Sequence, residues 1–346
     1  MNFSELSVKI ILENQSKEGA YIASPNFSQY GYCWFRDGSF IAAAMARTGE
    51  LESAKRFFDW GFRVIDSQKG KIEKILSQQS CALNHEDLLP TRYNLDGSLT
   101  QDNWPNGQSD GYGTFLWAIG KYAPKELIRR NIKIVELVSL YLEKIWTVPC
   151  FDVWEEHPDG IHTSTLFSIA AGLRAAEGIL KQKTKWEEIM SFIKENLVLD
   201  KRLKKSTVSD DIDASLVWGA VPFELLPVEN SLMVNTVKEI VRKLYVNGGV
   251  KRYSSDTYFG GGSWILLSAV LGQYCLRRGE FKKAEQIRKW IEKHFDAQGL
   301  PEQVPEYLID DSKYCEWVQR WGEIAKPLLW SHACYLDLLS DMEGRA

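Results

Sequence analysis

Apolar residues recur every three to four positions in about twelve separate stretches, and the alternating pattern of a half-buried strand is almost nowhere to be found. The periodicity predicts helices over residues 4–14, 37–48, 50–67, 110–121, 126–146, 163–180, 184–196, 211–220, 229–244, 262–277, 280–294 and 328–341. Short strands are expected at most within 151–154 and 250–258. Helices joined by loops, with so few strands, make the chain all-α.

The connections are of two kinds. Every second helix opens after a loop rich in charge, glycine or aromatic residues: Trp34-Phe35-Arg36-Asp37-Gly38, Trp104 to Gly111, Asp152 to Gly160, Asp210 to Asp213, Arg252 to Gly262 and Trp321 to Pro327. The intervening links are short, as in Arg47-Thr48-Gly49-Glu50 and Arg278-Gly279-Glu280. Helix hairpins arranged in a ring produce this alternation. Six of them give an (α/α)6 barrel whose inner helices all start on one face, where their first N–H groups lack helical partners. An open array of hairpins is the alternative. No linker or low-complexity tract divides the chain, so residues 1–346 are expected to form a single domain.

Charge and composition narrow the function. A formal net charge of −4 argues against nucleic acid as a partner, which calls for a basic stripe. No run of about 18 apolar residues exists, so no membrane span is expected. Met1-Asn2-Phe3-Ser4-Glu5 lacks a basic stretch leading into an apolar run, which makes the cytoplasm the expected compartment. The six cysteines show no metal-site spacing and read as reduced thiols. The five histidines form no H-x-x-x-H or comparable cluster, so neither a metal nor another cofactor is expected.

The 13 Trp, 14 Tyr and 15 Phe exceed what helices alone need, because several stand in polar loops: Tyr30-Gly31-Tyr32-Cys33-Trp34, Asn103-Trp104-Pro105 and Val153-Trp154-Glu155. Such rings suit the apolar faces of a sugar. Two acidic motifs accompany them, Asp152-Val153-Trp154-Glu155-Glu156 and Pro301-Glu302-Gln303. Two carboxyl groups across an aromatic cleft are the minimum equipment for hydrolysing a glycosidic bond.

Six motifs in order, from about Tyr30 to Tyr335, resemble glycoside hydrolase family 15, the inverting, exo-acting α-glucosidases of the glucoamylase type. The resemblance implies release of β-glucose from non-reducing α-1,4- or α-1,6-linked ends, with an oligosaccharide as partner and no cofactor. It implies that Arg36 and Asp37 of Trp34-x-Arg36-Asp37 hold hydroxyls of the terminal glucose, and that Tyr30 helps to position water. Trp104 and Asp110, in Gln108-Ser109-Asp110-Gly111, match the next active-site loop. Glu155 matches the general acid, Glu156 and Arg252 match substrate-binding residues, and Glu302 matches the general base. Asn106 and Gly107 depart from the pattern, which frequently has Arg and Pro there. Neither an N-terminal β-sandwich nor a starch-binding module is visible, which favours small oligosaccharides. A non-catalytic sugar-binding barrel, a trehalose-specific hydrolase and a phosphorylase are the rival readings; the paired Glu155 and Glu302 disfavour the first and the last.

Some residues have plainer expectations. Burial beside Trp154 and the like charges of Asp152 and Glu156 are expected to raise the Glu155 pKa, whereas Glu302 is expected to be ionised. Glu285 and Glu306 are competing candidates for the base. Arg36 and Asp37, adjacent on a helix, are expected to make separate contacts rather than pair. Trp34, Trp104 and Trp154 read as cleft lining, and Trp264 as cleft or core. Asp211 and Asp213 read as helix caps, His332 as a buried hydrogen-bonded histidine, and Lys201-Arg202-Leu203-Lys204-Lys205 as a solvated loop.

Overall fold

The structure, a computed structural model, describes residues 2–79, 83–105 and 107–344. Among them are fourteen α-helices: α1 (Phe3–Glu13), α2 (Phe35–Arg47), α3 (Leu51–Ser67), α4 (Lys69–Ser77), α5 (Asp110–Tyr122), α6 (Lys125–Arg130), α7 (Ile132–Ile145), α8 (Thr163–Leu180), α9 (Trp186–Asn196), α10 (Ser231–Leu244), α11 (Ile265–Arg277), α12 (Phe281–Lys293), α13 (Asp311–Trp321) and α14 (Leu329–Met342). The helices α2, α5 and α8, the 3-10 segment Ala214–Gly219, and α11 and α14 pack each on the next, and α14 returns to α2. That closes the inner ring of an (α/α)6 barrel. The outer members α1, α3, α7, α9, α10 and α12 each lean on an inner neighbour.

Burial explains which helices went inside. Every residue from Phe35 to Met45 in α2, and from Asp110 to Ile119 in α5, is buried, whereas α12 buries only Ala284, Ile287, Trp290 and Ile291. A helix covered on all sides belongs in a core, and one with a single apolar stripe belongs at its edge. The inner helices α5 and α8 cross at glycine: a Cβ at Gly113 would lie 2.4 Å from the Ser168 carbonyl oxygen, and one at Gly172 would lie 2.4 Å from that of Gly113. The short links end as the sequence predicts. Gly49 (φ 95°) and Gly279 (φ 74°) take the left-handed conformation, and the next residue's N–H reaches back to Met45 and Cys275.

Several expectations need correction. The stretch 126–146 breaks at Asn131 into α6 and α7, where the Asn131 side chain donates to the Leu127 carbonyl. The stretch 211–220 is a 3-10 helix, stopped by Pro222 and capped by Asp213, whose carboxylate accepts from the Ser215 amide; Asp211 does not cap it. Residues 151–154 form a turn, and 250–258 contributes only Val250 to a strand. Short antiparallel strands lie elsewhere: Cys33–Trp34 pairs with Arg92–Tyr93, and Tyr245–Val246, Gly249–Val250, Ser263–Trp264 and Gln303–Val304 form a four-stranded ribbon. Helices α4 and α13 were not anticipated.

One apolar core runs from Ile10 to Leu338. A second, small one of Phe27, Phe259 and Ala325 lies beneath α13. The described cysteines are unpaired, four of them buried and Cys315 exposed on α13. Cys81 and Asn106 lie outside the described residues. Among the described residues no helix is long and apolar enough to cross a membrane.

Candidate active site

None of the five inner α-helices has a side-chain N-cap, and the starts of α2, α11 and α14 border a blind cavity of about 480 Å3. Small-molecule sites fall in this size range, roughly 300–1,000 Å3. Its walls hold Tyr30, Trp34, Arg36, Asp37, Trp104, Trp154, Glu155, Glu156, Arg252, Trp264 and Glu302, contributed by loops far apart in the chain.

Glu155 sits on a turn that its own loop ties down. The Asp152 carboxylate accepts from the Trp154 amide (2.9 Å) and the Glu156 amide (3.0 Å), and the Glu155 amide donates to the Asp152 carbonyl (2.9 Å). Glu155 itself adopts φ 66°, a left-handed conformation that disfavours a side chain by about 1 kcal/mol. Its Oε1 accepts from the Trp34 indole N–H at 2.5 Å, and its Oε2 accepts from that of Trp104. The Arg36 guanidinium is 3.6 Å away. Burial raises the Glu155 pKa; Arg36 and the two indole donors oppose the rise.

The carboxylates next to Glu155 in sequence do not drive that shift, contrary to expectation, because each faces a cation of its own. Asp152 lies 3.1 Å from the Lys205 ammonium, and Glu156 lies 3.2 Å from Arg252 and accepts from the Tyr253 hydroxyl. Lys205 is therefore no solvated residue: its side chain is 5% exposed and also pairs with Asp213 at 3.3 Å, while Lys201 at the start of that run is exposed. Trp154 turns its indole N–H to Asp213 (2.9 Å) and not to Glu155. Asp152, Glu156 and His157 bring potential metal ligands within 4.8 Å of one another, yet Lys205 and Arg252 already neutralise the two carboxylates.

Glu302 approaches from another direction. Antiparallel pairing of Trp264 with Gln303 fixes its segment beside the start of α11, and its amide donates to the Ala325 carbonyl (2.9 Å). The Tyr30 hydroxyl donates to Oε1 at 2.9 Å and meets the Tyr258 hydroxyl at 2.8 Å. Oε2 is buried and has no hydrogen-bond partner among the described residues. Burial pushes the Glu302 carboxyl up to about 8, against the lowering effect of Tyr30 and Arg252, so it is less readily ionised than expected. Glu285 and Glu306 are spent on Arg288 and His294 and do not line the cavity.

Arg36 and Asp37 do pair, with Nε 3.2 Å from Oδ1. Helical spacing alone disfavours this, but Gln108 (2.9 Å) and Asp110 (3.2 Å) grip the far edge of the guanidinium and turn Nε towards its neighbour. Burial raises the Asp37 carboxyl to about 7, with Arg36 opposing. Asp110 is wholly buried and does not line the cavity; it holds Arg36. Arg252 is clamped by Asp256 at 2.8 and 2.5 Å, with the rings of Trp154, Tyr258 and Trp264 each 5.2 Å from it.

Sequence reading missed Arg92, Tyr258, Trp330 and the cluster Trp317, Arg320 and Trp321. Arg92 sits 3.8 Å from the Trp104 ring and pairs with Asp102, fixing the loop that carries Trp104. The Trp-x-x-Arg-Trp spacing of residues 317–321 was the available signal for the cluster.

An inner ring of helix starts, a blind aromatic cavity and two independently mounted carboxyls define a glycoside hydrolase barrel. The chain belongs to glycosyl hydrolases family 15, whose profile it matches over residues 4–290. It is similar to the isomaltose glucohydrolase of Kribbella flavida, 38% identical over 96% of this chain and 90% of that protein. A glycosidase solved as a variant in complex with glucose shares 37% identity and superposes with a TM-score of 0.92, covering 99% of this chain and 96% of the other. A bacterial glucoamylase solved with acarbose has the same fold at 19% identity, with a TM-score of 0.73 over 99% of this chain and 55% of the other. The protein is thus an enzyme, an exo-acting α-glucosidase.

Proposed function

We propose that the enzyme hydrolyses the terminal α-1,6 bond of isomaltose and short related glucosides with inversion, releasing β-glucose, and that residues 1–346 act as one catalytic domain. The observation that carries this reading is the pair Glu155 and Glu302, facing one blind cavity from separate elements with no hydrogen bond between them among the described residues. The α-1,6 preference is supported by the similarity to an isomaltose glucohydrolase.

The two carboxyls differ in position as the chemistry requires. A blind cavity takes the terminal ring at its floor and leaves the departing sugar towards its mouth. Glu155, 13% exposed and bonded to the half-exposed Trp104, stands on the leaving-group side and protonates the glycosidic oxygen. Glu302, 2% exposed, stands deeper, with Oε2 available to take a proton from water as it attacks the anomeric carbon. Tyr30 orients that carboxyl, and its own pKa is raised by burial and by Glu302, so it remains a donor. Arg36, Asp37 and Arg252 bind the terminal glucose; Asp110 keeps Arg36 in place; Trp34, Trp104 and Trp154 wall the ring, and Glu156 orients Arg252.

Proton NMR of fresh hydrolysate tests the stereochemistry: β-glucose appears first, and initial α-glucose would exclude the inverting assignment. Glu155→Gln and Glu302→Gln each lower kcat by several orders of magnitude while sugar binding persists. A panel of isomaltose, maltose and trehalose tests the linkage, and highest kcat/KM on either of the latter two would reject the α-1,6 preference.

A further inference from the structure

Helix α13 is foreign to the hairpin pattern. It lies between the Glu302 segment and α14, none of its residues is fully buried, and it rests on the 3-10 turn Tyr258–Gly260 over the small core of Phe27, Phe259 and Ala325. Its cavity side presents Trp317, Arg320 and Trp321. The Arg320 guanidinium lies 5.5 Å from the Trp317 ring and 5.0 Å from the Trp321 ring, so the two indoles hold it at the mouth. Trp317 is fixed in turn by Tyr258, ring to ring at 5.0 Å, and by Phe259 at 6.1 Å.

Burial across the cavity is graded. Arg36, Arg252 and Glu302 at the floor are buried, Trp317 and Trp321 are half-buried, and Arg320 is exposed. A leaving group pointing away from the floor exits through a mouth with this trio on one side and Asp102, Asn103 and Trp104 also on its rim. We infer that α13 is the wall that binds the leaving sugar. Trp317 and Trp321 cover its apolar face, and Arg320 donates hydrogen bonds to its hydroxyls through a planar fork that the indoles pre-orient. This assignment rests on the α-glucosidase reading, and the ligand it fits is a glucoside whose leaving group is itself a sugar.

The test compares isomaltose with α-glucosyl fluoride, whose leaving group is a single atom that cannot reach the wall. Arg320→Ala and Trp321→Ala lower kcat/KM on isomaltose by about ten-fold or more, while kcat/KM on α-glucosyl fluoride stays within about two-fold of wild type. Arg320 is exposed, so its removal leaves the packing of α13 intact. Equal losses on both substrates would mean a merely structural role and overturn the proposal, as would unchanged isomaltose kinetics. Wild-type enzyme inert towards both substrates would overturn the α-glucosidase reading and the wall with it.

Discussion

Lys205→Met removes a cation shared by two buried aspartates behind the Glu155 turn. The ammonium lies 3.1 Å from Asp152 and 3.3 Å from Asp213, with the Tyr253 ring 3.5 Å away. Burial disfavours its charge, but Asp213 and Asp152 outweigh that, and the Lys205 pKa is raised. Deleting one partner of a buried ionic group destabilises by roughly 3–5 kcal/mol, because the stranded charge keeps its desolvation penalty. Here the stranded groups retain other donors. Asp152 keeps the Trp154 and Glu156 amides, and Asp213 keeps the Trp154 indole and both the amide and hydroxyl of Ser215. The expected loss is therefore near the lower end, about 3 kcal/mol, read as a lower urea midpoint at unchanged slope.

Turnover should fall as well. Asp152 shapes a turn that holds Glu155 at φ 66°, and relief of that strain moves the acid away from the scissile oxygen. A displacement of about 1 Å reduces turnover on the order of 100-fold. KM should change less than kcat, because Arg36 is anchored elsewhere and Arg252 keeps both hydrogen bonds to Asp256 even if its contact with Glu156 of this turn is lost. Adding Asp213→Asn to Lys205→Met deletes one stranded charge and should restore part of the lost stability, a coupling that a double-mutant cycle measures. A Lys205→Met enzyme with the wild-type midpoint and full kcat, or a double variant no better than the single, would refute this account of the loop.

Three further outcomes are expected. Turnover needs Glu302 ionised and Glu155 protonated; burial raises both, so both limbs of the kcat/KM profile should lie alkaline of ordinary carboxylates near pH 4.3, and a low-pH limb at about pH 4 would contradict the burial argument. Gly113→Ala should destabilise by about 1–3 kcal/mol, since its Cβ meets the Ser168 carbonyl, whereas Gly178→Ala, with open space around it, should be neutral or stabilising; thermal melts compare the two. His332 accepts from the Leu300 amide at Nε2, so its neutral ring donates from Nδ1 to the Ser7 hydroxyl oxygen, and burial holds it neutral with its pKa lowered to about 3. The unfolded chain binds that proton from about pH 6.5 downward, so stability declines from there towards pH 3; His332→Gln should flatten the decline in urea midpoints, and identical slopes would assign it to other groups.

What the sequence disclosed, and what it hid, follows from the range of the interactions. The inner ring was legible because a helix buried on every side is apolar all round, and Phe35 to Met45 and Asp110 to Ile119 carry that mark locally. Glycines ending α2 and α11 are equally local signals. Helix α13 carried no such mark: it packs on a rim, buries nothing fully, and its aromatic residues gain meaning only from the Tyr258 turn more than fifty positions earlier. Lys205 was misread for the same reason. A run of four basic residues among five looks solvated until Asp152 arrives from another hairpin. Asp110 shows the subtler limit, because a motif preserves a carboxylate and its place in a loop without saying whether it meets the ligand or the arginine that does. The carboxyls of Asp152, Glu155 and Glu156, all within five residues, take Lys205, two indoles and Arg252 as their respective partners. Separation of that kind keeps three like charges from repelling one another at one point, and it leaves the middle one as the group whose proton is free to move.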